Sequence, residues 1–217
     1  MKVGTDAVLL GSWVNVFGVQ RILDIGTGCG VIALMLAQRT SEKVKIVAIE
    51  PDHDSVIQAM ENVSHSPWPT KIAVHATNLA NFKSPDQFDL IVSNPPFFIN
   101  SQLPPLPQRS NARHTHSLSH EELIESLIPL LSKNGRFAII LPTEEGIQFQ
   151  KLAGAFQLHV HRHLGFFSRE GKPQERSLLE FSFGQKEVVS ETLVLHKTGE
   201  DWSEAYRELT RDFYLKL

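Results

Sequence analysis

A chain of 217 residues with 41% hydrophobic and 21% charged residues has the composition of one globular domain, which excludes a disordered protein. Its net charge of −3 excludes a strongly basic nucleic-acid binder, so a polyanion would have to meet local basic patches. The single cysteine, Cys29, excludes an internal disulfide framework. No apolar stretch has the length of a membrane span, and we expect a monomeric cytoplasmic protein.

Short apolar runs alternate with segments of helical period, which predicts β-α-β units and a mostly parallel sheet with helices on both faces. In chain order the predicted elements are helix 5–16, strand 21–25, helix 30–39, strand 44–49, helix 52–63, strands 71–75 and 88–93, helix 119–132, strand 135–141, helix 143–153, strands 157–164 and 177–184, a possible strand near 191–196, and helix 202–213. Ser119 and Glu122 have capping-box spacing. Segment 97–118 is interpreted as a lid or binding loop. We expect one domain, 1–217.

A glycine-rich loop, with the sequence LDIGTGCG at residues 23–30, follows the first predicted strand and opens the second predicted helix. Gly26, Gly28 and Gly30 have the spacing for a tight turn that a ligand can approach closely. Dinucleotide enzymes use a related loop, but Asp24 before the first glycine would repel a phosphate. S-adenosylmethionine has no phosphate and carries a sulfonium cation, so the acid favours this cofactor.

Further residues near the glycine loop are candidates for contacts with the cofactor. Glu50 ends the second predicted strand, about 20 residues beyond the glycine loop, where an acid accepts hydrogen bonds from both ribose hydroxyls. Asn78 follows the third strand, where an amide would read the adenine edge. Thr5 or Asp6 is predicted to cap the first helix, whose amides, with Lys2, are candidates for the methionine carboxylate. Simple capping explains these last residues equally well.

The sequence SNPPF, residues 93–97, ends the fourth predicted strand next to the glycine loop at the topological switch of such a sheet. The side-chain oxygen of Asn94 and the carbonyl of Pro95 are two acceptors for the hydrogens of a planar amino group, whose lone pair would then point at the methyl group. Pro96 ends the strand, and Phe97 offers a stacking face. We interpret residues 94–97 as an amino-nitrogen clamp.

These motifs resemble a known family. DIGTGCG, the strand-end Glu50 and NPPF are similar to class I S-adenosylmethionine-dependent methyltransferases of a Rossmann-like α/β fold. MKVGTDAVLLGSW, VSNPPFF, ARHTHSLSHEEL and EGKPQERSLLEFSF resemble the bacterial tRNA1(Val) adenine-37 N6-methyltransferase family, from residue 2 to about 214. The resemblance implies a seven-stranded sheet with its last strand antiparallel, and N6 of an anticodon-loop adenine as the target. It carries over residues 94–97 as the catalytic clamp, and Asp24, Gly26, Gly28 and Glu50 as cofactor residues.

Two departures from the family pattern accompany this resemblance. Members usually carry further residues before KVGTD, so we expect either that the start is truncated or that the numbering follows an ordered fragment. Asn78 stands where an aspartate is common, which predicts slightly weaker cofactor binding.

The 97–118 loop and a predicted turn at 165–176 border the expected pocket, and their basic residues are candidates for contacts with RNA phosphates of a flipped loop adenine. They are Arg113, Arg169, Lys172 and Arg176. Two histidine groups, namely His114, His116 and His120, and His159, His161 and His163, are interpreted as surface or RNA-facing residues. They lack acids or cysteines at ligand spacing, so no metal site is expected.

These motifs distinguish the adenine methyltransferase from two other functions to different extents. The same clamp serves enzymes that methylate a protein glutamine side chain or a guanine amino group of ribosomal RNA, and a protein substrate would need no basic rim. A non-catalytic binding module of the same fold would predict a degraded clamp or glycine loop, whereas both motifs are intact.

Overall fold

The computed structural model describes residues 4–96, 118–197 and 199–214, which form one eight-stranded sheet with helices on both faces. The strands are β1 (Arg21–Ile25), β2 (Lys45–Glu50), β3 (Ile72–Ala76), β4 (Phe88–Ser93), β5 (Leu131–Pro142), β6 (Leu158–Arg169), β7 (Arg176–Phe183) and β8 (Val189–His196). Their order across the sheet is β3-β2-β1-β4-β5-β7-β6-β8. The helices are α1 (Thr5–Trp13), α2 (Val31–Arg39), α3 (His53–Ser64), α4 (His120–Leu127), α5 (Thr143–Ala155) and α6 (Glu204–Thr210).

The mostly parallel α/β sheet is confirmed, but the predicted number of seven strands was too small. Strands β1 to β5 are parallel, and β7 is antiparallel to both β5 and β6, as the resemblance implied. The additional strand is β8, at the position of the possible strand near 191–196, and it pairs in parallel with β6 at the sheet edge. Its pattern is weak because half of its eight residues, from Val189 to Thr192, are exposed.

The predicted fourth helix, 119–132, was too long. Helix α4 ends at Leu127, a 3-10 turn covers Ile128–Leu130, and β5 begins at Leu131. Pro129 has no N–H for the helical ladder and so favours a stop here. The beginning of α4 is as predicted, because the Ser119 side chain accepts from the backbone N–H of Glu122 and the Glu122 carboxylate accepts from that of Ser119.

Two apolar clusters fill the two faces of the sheet. On one face, α1, α2 and α6 contribute buried residues such as Leu9, Leu36 and Tyr206. On the other face, α4 and α5 contribute buried residues such as Ile124 and Phe149. Because both faces are covered, the central strands are apolar on both sides, which explains their continuous hydrophobic runs. Within the described part of the chain, no helix is long and apolar enough to cross a membrane.

The parallel register brings the ends of the central strands together. Ile25 at the end of β1 is paired with Ile49 of β2 on one side and with Ser93 of β4 on the other. The loops that follow these strands therefore leave the sheet side by side, at the edge where ligands bind in open α/β sheets. We call this edge, where β1 to β5 end, the carboxyl edge, and the opposite edge the amino edge.

Candidate active site

The glycine loop, residues 26–30, turns sharply at the carboxyl edge. The N–H groups of Gly26 and Thr27 both donate to the Ile49 carbonyl, at 2.9 and 3.1 Å, which fastens the loop to β2. Gly26, Gly28 and Gly30 all have positive φ, at 69°, 57° and 86°. Side chains are disfavoured in this backbone conformation, so the predicted role of the glycines in a tight turn is explained.

Gly30 provides a direct test of that explanation. It precedes α2 as its N-cap in the left-handed conformation, and a Cβ placed on it would meet Ala59 only at ordinary contact distance, 3.5 Å. Gly30→Ala is therefore expected to destabilise the protein through backbone strain alone, by about 1–2 kcal/mol. Thermal unfolding at constant pH measures this, and Gly154→Ala within α5, where a Cβ meets nothing within 4 Å, is expected to stabilise instead. Equal melting temperatures for the two variants would contradict the strain argument.

Asp24 lies fully buried beneath the glycine loop. Its Oδ2 atom accepts hydrogen bonds from Thr27 Oγ1 at 2.6 Å and from the Ala33 N–H at 3.1 Å. Its Oδ1 atom is buried and has no hydrogen-bond partner among the described residues. A buried carboxylate oxygen without a partner is costly, and a cationic ligand would compensate it.

Burial raises the pKa of the Asp24 carboxyl from its ordinary value of 3.8 to about 7. The hydrogen bonds from Thr27 and Ala33 oppose this rise, and the nearby Glu50 carboxylate adds to it. Asp24 therefore changes its protonation near neutral pH when no ligand is bound. A cation beside it would favour the ionised form.

Glu50 ends β2 directly opposite the glycine loop. One carboxylate oxygen accepts from the Gly28 N–H at 2.9 Å, and the other accepts from the Asp52 N–H at 3.0 Å. These two bonds hold both oxygens at the carboxyl edge, where each retains a lone pair that can accept a ligand hydroxyl. The predicted ribose acceptor thus lies beside the loop.

Asn78 follows β3 at the same edge. Its Oδ1 atom accepts from the Asn81 N–H at 2.9 Å, and its backbone carbonyl accepts from Phe82. The side-chain oxygen therefore stabilises the local turn after β3, which leaves the amide nitrogen for the predicted contact with adenine.

The Asn94-Pro95-Pro96 segment leaves the sheet beside the glycine loop. Ser93, the last residue of β4, is buried and donates its hydroxyl to the Ile25 carbonyl at 3.1 Å. Asn94 and Pro95 are half-buried and Pro96 is exposed. Phe97, the predicted stacking residue, lies outside the described residues.

The start of α1 differs from its prediction. Gly4 is the N-cap and no side chain caps the helix, so neither Thr5 nor Asp6 has the predicted capping role. Thr5 is exposed in the first turn, whereas the Asp6 carboxylate accepts a hydrogen bond from Arg176 Nε at 3.0 Å. Lys2 lies outside the described residues.

Three of the four predicted RNA-facing residues are described, and two of them contact acids. Arg176 pairs with Asp6, and Arg169 pairs with Glu200 and donates to the Gly199 carbonyl. Lys172 is exposed in the turn between β6 and β7. Arg113 lies outside the described residues. Within the described ranges, no group of three or more metal-ligating side chains could hold a metal ion.

Two residues of this site were missed from the sequence. Thr27, within the glycine loop, orients Asp24, and Ser93 joins β4 to β1 immediately before the clamp. A hydroxyl three residues after a buried acid is a local signal for Thr27. Nothing local predicts the role of Ser93, since its partner is 68 residues away.

Comparisons with known proteins agree with this architecture. The family model described as methyltransferase small domain matches residues 4–164. Among solved structures, a predicted O-methyltransferase from Agrobacterium tumefaciens is similar with a TM-score of 0.75 and 18% identity, covering 95% of this chain and 96% of the other. A putative class I S-adenosylmethionine-dependent methyltransferase from Listeria monocytogenes has a TM-score of 0.60 and 16% identity, covering 96% and 69%. At these identities the likeness shows the fold.

Curated relatives are similar over nearly their whole length. The tRNA1(Val) (adenine(37)-N6)-methyltransferase of Bacteroides thetaiotaomicron is 45% identical, covering 100% of this chain and 92% of the relative. That of Tolumonas auensis is 44% identical, covering 100% and 91%, and that of Citrobacter koseri is 42% identical, covering 99% and 89%.

The fold and the carboxyl-edge loops define a class I methyltransferase, a class whose methyl donor is S-adenosyl-L-methionine. At 42–45% identity over nearly the full length of both chains, the protein belongs to the tRNA1(Val) (adenine(37)-N6)-methyltransferase family.

Proposed function

We propose that this protein transfers a methyl group from S-adenosyl-L-methionine to N6 of adenine 37 in a valine tRNA. It acts as a monomer in the cytoplasm, with residues 1–217 as one catalytic domain. The observation that carries the proposal is the pairing of Ile25 with Ser93, because it sets Asn94 and Pro95 beside the glycine loop. The full-length identity to relatives of that name supports the choice of substrate.

The residues present fit the cofactor. The unpartnered Oδ1 of Asp24 suits a ligand with a positive charge, and open space at Gly26, where a Cβ would meet nothing within 4 Å, suits close approach to the backbone. Glu50 would hold the ribose hydroxyls, and the amide of Asn78 would contact the adenine. Gly28 and Gly30, together with the first turn of α1 at Thr5 and with Lys2, complete the proposed set.

When bound, S-adenosylmethionine supplies an electrophilic methyl group on a sulfonium sulfur. The Asn94 side-chain oxygen and the Pro95 carbonyl would accept the two hydrogens of the adenine amino group and so turn the nitrogen lone pair towards that methyl. Transfer would form the N–C bond and break the S–C bond with its electron pair left on sulfur, and the methylated nitrogen would release one proton to water. No strong base is needed, since that nitrogen is acidic until the proton leaves.

The target adenine must leave its stack to reach this edge. In a single-stranded loop, unstacking costs less than in a duplex, and Phe97 would stack on the flipped base. Arg113, Arg169 and Lys172 are proposed contacts for the RNA backbone. The exposed position of Lys172 supports such a contact, whereas Arg169 would first have to leave Glu200.

The test uses the full chain with labelled S-adenosylmethionine in parallel reactions with an unmodified valine tRNA transcript, with unmodified ribosomal RNA and with a protein extract, followed by digestion to nucleosides or amino acids. We expect label in N6-methyladenosine, and no label when adenine 37 of the transcript is replaced by guanosine. Label in a methylated guanosine of ribosomal RNA, or in a protein glutamine but not in RNA, would contradict the proposal and assign the clamp to another amino nitrogen.

A further inference from the structure

An ion pair bridges two parts of the carboxyl edge that are far apart in the sequence. The Nε atom of Arg176 lies 3.0 Å from Oδ2 of Asp6, although the two residues are 170 positions apart. Both side chains are largely shielded from water, with 18% of Asp6 and 26% of Arg176 exposed. Because partial burial reduces screening by water and salt, the attraction between these two charges is stronger than that in a fully exposed ion pair.

One end of the bridge is the first turn of α1. Helix α1 runs from the carboxyl edge, where Asp6 meets Arg176, towards the amino edge, where the Phe17 carbonyl just after the helix accepts from Arg136 of β5. Helix α2 also begins at the carboxyl edge, and the Arg39 side chain at its end donates to the Gly11 carbonyl in the second half of α1, so the two helices lie side by side and run in the same direction. Since α2 begins at the glycine loop, the first turn of α1 lies near that loop. No side chain caps this turn, since its N-cap is Gly4. Asp6 connects the turn to the sheet through Arg176.

The other end of the bridge lies on the clamp side. Arg176 begins β7 and is paired with Pro142, the last residue of β5. Ser93 of β4 is paired with Ile139 of β5. Pro96 comes three residues after Ser93, and Pro142 comes three residues after Ile139. Arg176 therefore lies two strands beyond β4, with β5 between them, and near the level at which the clamp leaves the sheet.

We propose that the Asp6–Arg176 ion pair positions the first turn of α1 against the clamp side of the carboxyl edge, so that Arg176 is a positioning residue rather than a contact for RNA phosphates. This inference rests on the proposed function. A phosphate that engaged Arg176 would have to displace Asp6 and leave its half-buried carboxylate without the guanidinium, which is unfavourable. The ion pair would instead keep the methyl group of the cofactor aligned with the amino nitrogen, because small displacements of reacting atoms lower the rate of transfer strongly.

The experiment is a double-mutant cycle with Asp6→Asn, Arg176→Gln and both together, in the full chain at pH 8. Calorimetry measures S-adenosylmethionine affinity without RNA, and steady-state assays give kcat and the KM for valine tRNA at several salt concentrations. We expect each single variant to lower affinity and kcat by about tenfold or more. The cofactor affinity and kcat of the double variant are expected to be no lower than those of the more impaired single variant. The KM for tRNA and its salt dependence are expected to be unchanged.

The matched control is Glu191→Gln, which also removes an acid from an arginine pair beside α1. Glu191 lies 3.1 Å from Arg162, whose guanidinium bonds the Trp13 carbonyl at the other end of the helix. We expect this variant to unfold at a lower temperature than the wild type but to keep its cofactor affinity and kcat. Equal losses of affinity in Glu191→Gln and Asp6→Asn would overturn the proposal, because general loosening of α1 would then explain both.

A role in phosphate binding would give a different result. Arg176→Gln alone would then raise the KM for tRNA and flatten its salt dependence, Asp6→Asn would not weaken the enzyme, and the two effects would add. That outcome would overturn the positioning role. If the wild type fails to methylate valine tRNA, the proposed function fails, but the cofactor affinities of the four variants still decide whether the pair is coupled to the cofactor site.

Discussion

Asn94→Ala is expected to lower kcat for methyl transfer by about 100- to 1,000-fold, because it removes one of two preorganised acceptors for the reacting amino group. S-adenosylmethionine affinity is expected to fall less than about tenfold, since Asp24 and Glu50 remain in place. Single-turnover kinetics with saturating tRNA separates the chemical step from binding. A loss of kcat of this size, with the remaining label still found in N6-methyladenosine, would support the role of Asn94 as an acceptor for the amino group.

The control for this substitution is Asn134→Ala. Asn134 is exposed near the beginning of β5, at the amino edge and therefore across the sheet from the clamp. We expect wild-type kinetics from it. If Asn94→Ala retained more than about a tenth of the wild-type kcat, the clamp would not depend on this amide, and the mechanism proposed above would be wrong.

The second large effect is expected from Asp24→Asn, which should weaken S-adenosylmethionine binding by about 100-fold or more through the loss of a buried charge next to a cation. For the wild type, cofactor affinity should rise with pH up to about 7, because the cation binds the ionised carboxylate and the pKa of Asp24 is raised to about 7 in the unliganded protein. Calorimetric titrations between pH 5.5 and 8.5 on both proteins measure this, and the pH dependence should disappear in the variant.

The same substitution is expected to stabilise the unliganded protein above neutral pH. With a pKa of about 7 in the folded state against an ordinary 3.8, native Asp24 binds more protons than the unfolded chain between these values. Its contribution to stability is therefore fully present below about pH 4 and is lost as pH rises through 7. Asp24→Asn removes this loss, since its oxygen can still accept from Thr27 and Ala33.

Thermal unfolding at several pH values tests this sign. The difference in melting temperature between Asp24→Asn and wild type should increase between about pH 4 and 7 and then level off. Each kcal/mol of unfolding free energy that the variant regains should raise its melting temperature by at least a few degrees. The control is Asp89→Asn, which changes an acid that accepts from the backbone of Gln20 and Arg21 at the amino edge. It should lower the melting temperature and leave cofactor affinity unchanged. A constant difference between Asp24→Asn and wild type at all pH values would contradict the raised pKa.

Much of the fold follows from local sequence patterns. The runs RILDI and FDLIVS were predicted as strands with the bounds that β1 and β4 have, because residues buried on both faces give uninterrupted apolar runs. The capping box at Ser119 was also predicted, since its two hydrogen bonds lie within four residues. By contrast, the end of α4 and the edge strand β8 were less well predicted, because Pro129 acts within an otherwise helical pattern and because an exposed strand has little hydrophobic alternation.

Local sequence patterns were sufficient to identify the chemical groups of the site: a glycine loop after a buried acid, an acid at the end of the next strand, and an asparagine with two prolines after β4. These signals are local, since turn chemistry and strand ends are encoded within a few residues. The way in which these groups come together depends on the folded chain. The Ile25–Ser93 register, the burial that raises the pKa of Asp24, and the pairing of Arg176 with Asp6 all depend on contacts between distant segments. Such contacts arise from packing, which no short pattern encodes.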